Sequence, residues 1–446
     1  MAMAATANAP ASMTSPLAVA ALVLFAIACL LVALEDHIGL RKSKPMLLAG
    51  VAIWGMLAWS AHTDAEQSRA VATAFEHTFL EFSELFFFLV ASTAFVEALA
   101  ERGVFDVLRM ALIRRGWSWR GLFWITGALA FALSSVLNNM TTAMVLAAVV
   151  LALGASQPRF VAMACINIVV AANAGGAWCA FGDVTTLMVW QSGHASFFDF
   201  FALLLPSLVN WLLPAALMHR ALPSGAPPAD SGVATAKPGA IAIGVVFALT
   251  IALTVACVQM LALPPMVGML GGLAGLQLLS WKIARDDLAR AQAGSADEPH
   301  NIFHLLARND WDTLLFFGGV LLAVGGLARL GWIELLAHAT YGQMAPWMAT
   351  SLLGASSALV DNIPIMSAVL HMEPTLDRGG WLLVTLACGV GGSLLSIGSA
   401  AGIALMGIAR GSYTFTSHLR WSGAIALGYV ASVALHLLLY GHGANS

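Results

Sequence analysis

The sequence predicts an all-α polytopic membrane protein of two inverted repeats, with about ten transmembrane helices, two re-entrant hairpins and two broken helices. Three observations lead there. The chain of 446 residues is 60% hydrophobic and only 10% charged, whereas soluble proteins carry about 25% charged residues. Its Lys and Arg residues fall almost wholly on one side of the apolar segments. One order of elements also occurs twice, starting from opposite sides.

Apolar segments long enough to span run at 16–34, 45–61, 79–100, 160–190, 199–219, 239–263, 265–283, 312–330, 381–409 and 421–441. Spanning takes roughly 20 residues. Two further blocks, 121–153 and 347–371, are interrupted midway by polar clusters. If both crossed fully, the charge pattern would fail; hairpins that enter and leave by one face preserve it. With the amino terminus outside, 17 of the 20 Lys and Arg lie in inner loops, leaving Arg69, Arg329 and Arg378 outside. Both termini are then external. The first fifteen residues carry no charge and lack the basic start of a cleaved signal peptide, so the first apolar run is expected to stay as a helix.

The order helix, connector, hairpin, broken helix, helix occupies 79–219 and again 312–441. The first unit begins outside and the second inside, which places a substrate site near the midplane between them. Linkers 221–238 and 284–310 read as cytoplasmic loops. The expected division is scaffold helices over 1–100, a first transport half over 101–219, loops and scaffold helices over 220–330, and a second transport half over 331–446. The connectors 101–120 and 331–346 are the expected arms between moving and fixed parts. Cys29, Cys165, Cys179, Cys257 and Cys388 sit in apolar segments without metal spacing and read as small core residues. No zinc spacing, basic tract or nucleic-acid module is present.

Polar residues concentrate at four places. The stretch 173–190 holds Asn173, Gly175, Gly176, Gly182, Asp183, Thr185 and Thr186 inside an apolar segment, and 389–407 repeats the glycine-rich theme. Backbone opened at that depth must be covered by protein or line a cavity. Hairpin one reads Ser134-Ser135-Val-Leu-Asn138-Asn139-Met-Thr141-Thr142, and hairpin two Ser356-Ser357-Ala-Leu-Val-Asp361-Asn362-Ile-Pro364. Such tips offer hard oxygen ligands suited to Na⁺ or Li⁺, although the same residues also cap half-helices. Asp183 and Asp361 are sharper. A buried carboxylate holds a cation when ionised or a proton when neutral, and one group that takes either but not both couples their movement in opposite directions. The plain alternative is a paired structural acid, with Arg329 or Arg378 serving Asp361. Thr185 and Thr186 can add hydroxyl ligands or simply bond back to their own backbone. Asp312 opens a helix, where an acid is also favoured by the helix dipole. His77, Glu81 and Glu84 share one helical face and suit either an outer pH-sensitive entry site or a solvated surface.

The motifs at 134–142, 175–186 and 391–402, with Val-Asp-Asn-Ile-Pro at 360–364, together resemble NhaD-type sodium/proton antiporters of the ion transporter superfamily. The resemblance runs from about residue 16 to the end. It implies Na⁺ and Li⁺ export in exchange for H⁺ across a bacterial inner membrane, with no cofactor and no enzymatic step. It further implies a homodimer working as an elevator. Carried over by motif, the ion-site residues are Ser135, Asn138, Asn139, Asn173, Asp183, Thr185, Thr186, Ser357, Asp361, Asn362, Ser396 and Ser399. Asp312, His77 and Glu84 fall where the family tends to have polar residues. One departure stands out: relatives commonly show Asp-Asn at the first hairpin tip, where this chain has Asn138-Asn139. The rival on the same scaffold is a sodium-coupled dicarboxylate or other anion symporter. Carboxylates at the site would repel its substrate, so Asp183 and Asp361 favour the antiporter. An intramembrane aspartyl protease or a channel leaves the duplicated hairpins unexplained.

Overall fold

The computed structural model describes residues 15–154, 157–227, 235–292, 302–307, 309–409 and 411–441. Both chain ends, parts of the two linkers, and Arg308 and Arg410 of the inner-side tally lie outside the described residues. All regular structure among the described residues is helical. The first unit comprises α1 (Pro16–Ala33), α2 (Ser43–Ala61), α3 (Ala65–Glu101) and α4 (Val104–Arg114), then a helical hairpin of α5 (Trp119–Leu133) and α6 (Asn139–Gly154). The broken helix α7 (Pro158–Gly176) and α8 (Val184–Gln191) follows, and α9 (Leu204–His219) closes the unit. Helices α10 (Ala240–Leu261) and α11 (Pro265–Gln292) come next. The second unit repeats the order from α3 onward: α12 (Trp311–Arg329), α13 (Trp332–Thr340), hairpin α14 (Pro346–Ser356) and α15 (Asn362–Met372), broken helix α16 (Arg378–Gly391) and α17 (Ala400–Ile408), and α18 (Ser422–Tyr440).

Eight helices among the described residues are long and apolar enough to cross a membrane. The two further spans expected from the sequence are α1, whose apolar run Pro16–Val32 is slightly short, and the second broken helix, divided between α16 and α17. The third span departs most from expectation. Expected over 79–100, it begins at Ala65 and runs 37 residues. That is about 55 Å at 1.5 Å per residue, far more than a bilayer needs. Asp64 starts it, its carboxylate accepting from the amides of Glu66 and Gln67. The polar first turns are therefore helical because they are capped, a signal that hydropathy does not carry.

Both amphipathic connectors are built alike. Gly103 (φ 75°) ends α3 and begins α4; Gly331 (φ 85°) ends α12 and begins α13. A left-handed residue turns the chain sharply out of one helix into the next, and only glycine takes that conformation without cost. Packing divides the helices into two sets. Helices α1, α2, α3, α10, α11 and α12 pack chiefly on one another, whereas both hairpins, both broken helices, α9 and α18 form the other set. Helix α15 bridges them by packing on α12 and α8. Arg102 ties the end of α3 to α11: its guanidinium donates to Asp287 at 2.9 Å and is almost fully buried. This residue, counted from sequence as a loop cation, is a buried ion pair that is costly to break on one side only.

Candidate functional site

Glycine lets the broken helices approach the hairpins. A Cβ at Gly175 would stand 2.2 Å from the Phe131 carbonyl oxygen of hairpin one, and a Cβ at Gly391 would stand 2.0 Å from the Gly354 carbonyl oxygen of hairpin two. Across each break the chain folds back on itself. A Cβ at Gly182 would be 2.5 Å from the oxygen of Gly176, and one at Gly392 would be 2.6 Å from the oxygen of Gly398. Thus Gly175, Gly176 and Gly182 recur with identical spacing as Gly391, Gly392 and Gly398. The repeat extends to the caps: Asp183 begins α8 where Ser399 begins α17, and Asn138 precedes α6 where Asp361 precedes α15. Each repeat therefore places one carboxylate, but at a different cap.

The loop 177–183 of the first break is reached by both hairpins. From hairpin two, Asn362 Nδ2 donates to Asp183 Oδ2 at 2.8 Å. The same oxygen accepts from Thr185 Oγ1 at 3.1 Å, and Oδ1 accepts from the Val184 amide at 2.7 Å. From hairpin one, Asn139 packs against Gly176 and Gly182. With its amide nitrogen turned inward it donates to Ser134 Oγ at 2.5 Å, Ala172 O at 3.2 Å and Gly182 O at 3.3 Å, while its oxygen faces the Asn173 side chain at 3.2 Å. Asn139, Asn173, Thr185 and Asn362 are buried, and Asp183 and Asp361 are half-buried. Asp183 and Asp361 lie within electrostatic reach of one another.

Asp361 stands in a second, narrow cavity with Glu35, Lys42, Met46, Phe316 and Ile397. Its backbone is left-handed (φ 50°), a strained conformation for a residue with a Cβ, and its carboxylate accepts from the Asn362 amide at 2.8 Å. Among the described residues neither Arg329 nor Arg378 lines this cavity, and Arg378 pairs with Asp199 at 3.1 Å. The cation on its side is Lys42, buried and set over the Phe316 ring at 4.9 Å. The charge pattern of the sequence puts Lys42 among the inner-loop cations, and its neighbours in sequence, Arg41 and Lys44, give no sign that it differs.

The remaining candidates divide clearly. Thr186 closes a capping box, donating to the Asp183 carbonyl at 2.6 Å and accepting from the Asp183 amide at 3.2 Å. Asn138 accepts from the Thr141 amide at 2.7 Å, and Ser399 accepts from the Gly402 amide at 3.2 Å, so both are caps. Ser135 donates to Ala132 O, and Ser357 donates to Gly354 O and Cys388 O. Ser396 is buried in the second break, beside Tyr413. Asp312 accepts from Ser43 Oγ, next to Lys42, and does not contact Asp183 or Asp361. His77 and Glu84 line a separate cavity of 620 Å³ with Glu81, His194, His371 and Glu373. His77 lies 3.3 Å and His371 3.9 Å from Glu81. The three His77, His371 and Glu81 thus come from both sets of helices, α3 on one side and α15 on the other. Among the described residues no group of His, Cys, Asp and Glu is arranged to hold a resident metal ion.

The family model described as citrate transporter matches residues 11–389. The chain is 46% identical over 441 residues to the Na⁺/H⁺ antiporter NhaD of Vibrio cholerae, covering 95% of this chain and 92% of that protein. It is 47% identical over 435 residues to the Na⁺/H⁺ antiporter NhaD of Halomonas elongata, covering 94% and 88%. Among solved structures, the YdaH transporter of Alcanivorax borkumensis has a similar fold, at a TM-score of 0.50 and 14% identity, covering 96% of this chain and 100% of that one.

Proposed function

The chain belongs to the NhaD-type sodium/proton antiporters within the citrate-transporter family, and from that membership we propose that it exports Na⁺ and Li⁺ across a bacterial inner membrane in exchange for external H⁺. The observation that carries the proposal is the bond from Asn362 to Asp183, which joins hairpin two to the first break across the repeat boundary. A carboxylate held there by neutral donors is open to a cation or a proton. With no cation bound, Asn362 Nδ2 and Thr185 Oγ1 solvate the ionised group. When Na⁺ enters, the same amide and hydroxyl turn their oxygens to it. When a proton enters, charge is neutralised in place and the cation leaves. Asp361, one residue before Asn362, feels the same exchange at the edge of the site. Ionised carboxylates at both caps oppose an anionic substrate, which places the antiporter ahead of a symporter despite the family's description.

We further propose that the hairpins, the broken helices, α9 and α18 move as one body against a scaffold of α1–α3 and α10–α12, with α4 and α13 as arms. The apolar side chains left exposed on α10 and α11, such as Ile241, Met260, Leu278 and Trp281, suit lipid or the second copy of a homodimer. Both termini would then be periplasmic.

Proton flux in inverted vesicles tests the core of this reading. Addition of Na⁺ or Li⁺ should release protons, K⁺ serving as the control, and Asp183→Asn and Asp361→Asn should each abolish the response while still inserting. Labelled succinate or citrate should not accumulate in the same vesicles. Normal exchange in both variants would defeat the proposal. Competition also fixes a sign with pH: as pH falls, protons displace Na⁺, so the apparent KM for Na⁺ should rise by up to about tenfold per unit for each competing proton. A KM that does not change between alkaline and acidic pH contradicts a shared carboxylate.

A further inference from the structure

The inverted repeat duplicates one more feature, a cavity where each broken helix begins. In one, the start of α16 (Asp377, Arg378, Leu382) meets Asp199, in the short helix after the first break, and Tyr440, at the end of α18; its volume is 430 Å³. In the other, the start of α7 (Pro158, Arg159, Ala162) meets Ser417, Arg420 and Trp421, around the short helix after the second break, and Ala221, just past α9; its volume is 670 Å³. The two short helices even share their caps: Ser196 with Asp199 in the first, Thr414 with Ser417 in the second.

Their charges differ. In the α16 cavity the arginine is neutralised from within, Arg378 donating to Asp199 at 3.1 Å. In the α7 cavity the position equivalent to Asp199 is Ser417, and among the described residues the lining holds Arg159 and Arg420 but no acidic residue. Neither arginine forms an ion pair among the described residues. Two like charges facing one open cavity repel each other unless an anion lies between them, and the guanidinium fork matches phosphate oxygens. Ser412 adds a hydroxyl whose hydrogen is free to turn inward. The charge distribution of the sequence puts this cavity on the inner side, where anionic headgroups are concentrated.

We propose that the cavity between Arg159 and Arg420 binds a phosphate group, either the headgroup phosphate of an anionic phospholipid or free inorganic phosphate. The site does not depend on the ion exchange proposed above, and its test reads binding rather than transport. The protein in neutral detergent would be titrated with phosphatidylglycerol or cardiolipin, with phosphatidylcholine as control, and separately with phosphate against chloride at constant Na⁺ and ionic strength. Melting temperature and native mass spectrometry report occupancy. Wild type should gain stability and retain the anion, and Arg159→Gln with Arg420→Gln should bind at least about tenfold more weakly. Ser417→Asp installs the acid of the other cavity, so it should pair with Arg159 and suppress binding without removing either arginine. Response to phospholipid alone identifies a headgroup site; response to both identifies a phosphate site. No response in wild type, or equal responses in wild type and Ser417→Asp, overturns the proposal.

Discussion

Asp183 and Asp361 occupy different caps of the two repeats, and the residues at the matching caps, Ser399 and Asn138, are neutral. Two carboxylates on exactly matched positions would face each other as equals across the pseudo-axis. Here each meets a different environment: Asp183 is held by Thr185 and by Asn362 from the opposite repeat, while Asp361 looks toward Lys42. Asn362 is the residue common to both, its backbone amide on Asp361 and its side chain on Asp183. Hydrogen bonds to an ionised group contribute about 1.5–3 kcal/mol. Asn362→Ala should therefore raise the apparent KM for Na⁺ by roughly ten- to a hundredfold while the fold persists. Asn362→Gln, which keeps the amide but displaces it, should recover only part of that loss. Vesicle flux over a Na⁺ series measures both, and an unchanged KM in Asn362→Ala would remove this residue from the site.

At the level of elements, the hairpins and breaks were legible because polar residues interrupt long apolar runs, with paired Ser and an Asn at two such points. The glycine-rich theme shared by 173–190 and 389–407 was visible as well, but its matched spacing took meaning only from the contacts across each break. What hydropathy could not convey was which tip meets which break: Asn139 stays within its own repeat, whereas Asn362 crosses to the other. Nor could it separate ligands from caps, since Asn138, Thr186 and Ser399 satisfy backbone groups with the side-chain chemistry a cation would use. Lys42 escaped because burial depends on how α1, α2 and the second hairpin pack, not on local composition. The glycine contacts make a separate prediction. Gly391→Ala adds a methyl group where backbone already sits within 2.0 Å, and Gly244→Ala adds one where nothing lies within 4 Å. Overpacking costs about 1–3 kcal/mol or more, so the first should lower the melting temperature in detergent by several degrees and the second should leave it nearly unchanged. Similar melting temperatures for the two variants would mean that α16 does not pack this closely on hairpin two.

For the whole molecule, the question is whether the two packing sets move as bodies. The 620 Å³ cavity is the place to ask, because Leu80 on α3 and Leu370 on α15 line it from opposite sets. If hairpin two travels with the broken helices, the distance between these residues must change during each exchange cycle. In a background with the five native cysteines replaced, a short thiol cross-linker between Leu80→Cys and Leu370→Cys should stop Na⁺-driven proton flux, and a reducible linker should restore it on reduction. The control pair joins Met56→Cys on α2 to Ala74→Cys on α3, within one set, and should leave exchange intact. Movement confined to the site itself, with no displacement of one set against the other, would let exchange continue under both linkers. Arrest by the first linker alone would place the sliding surface between α3 and α12 on one side and α8 and α15 on the other, alongside the carboxylates that the motion carries.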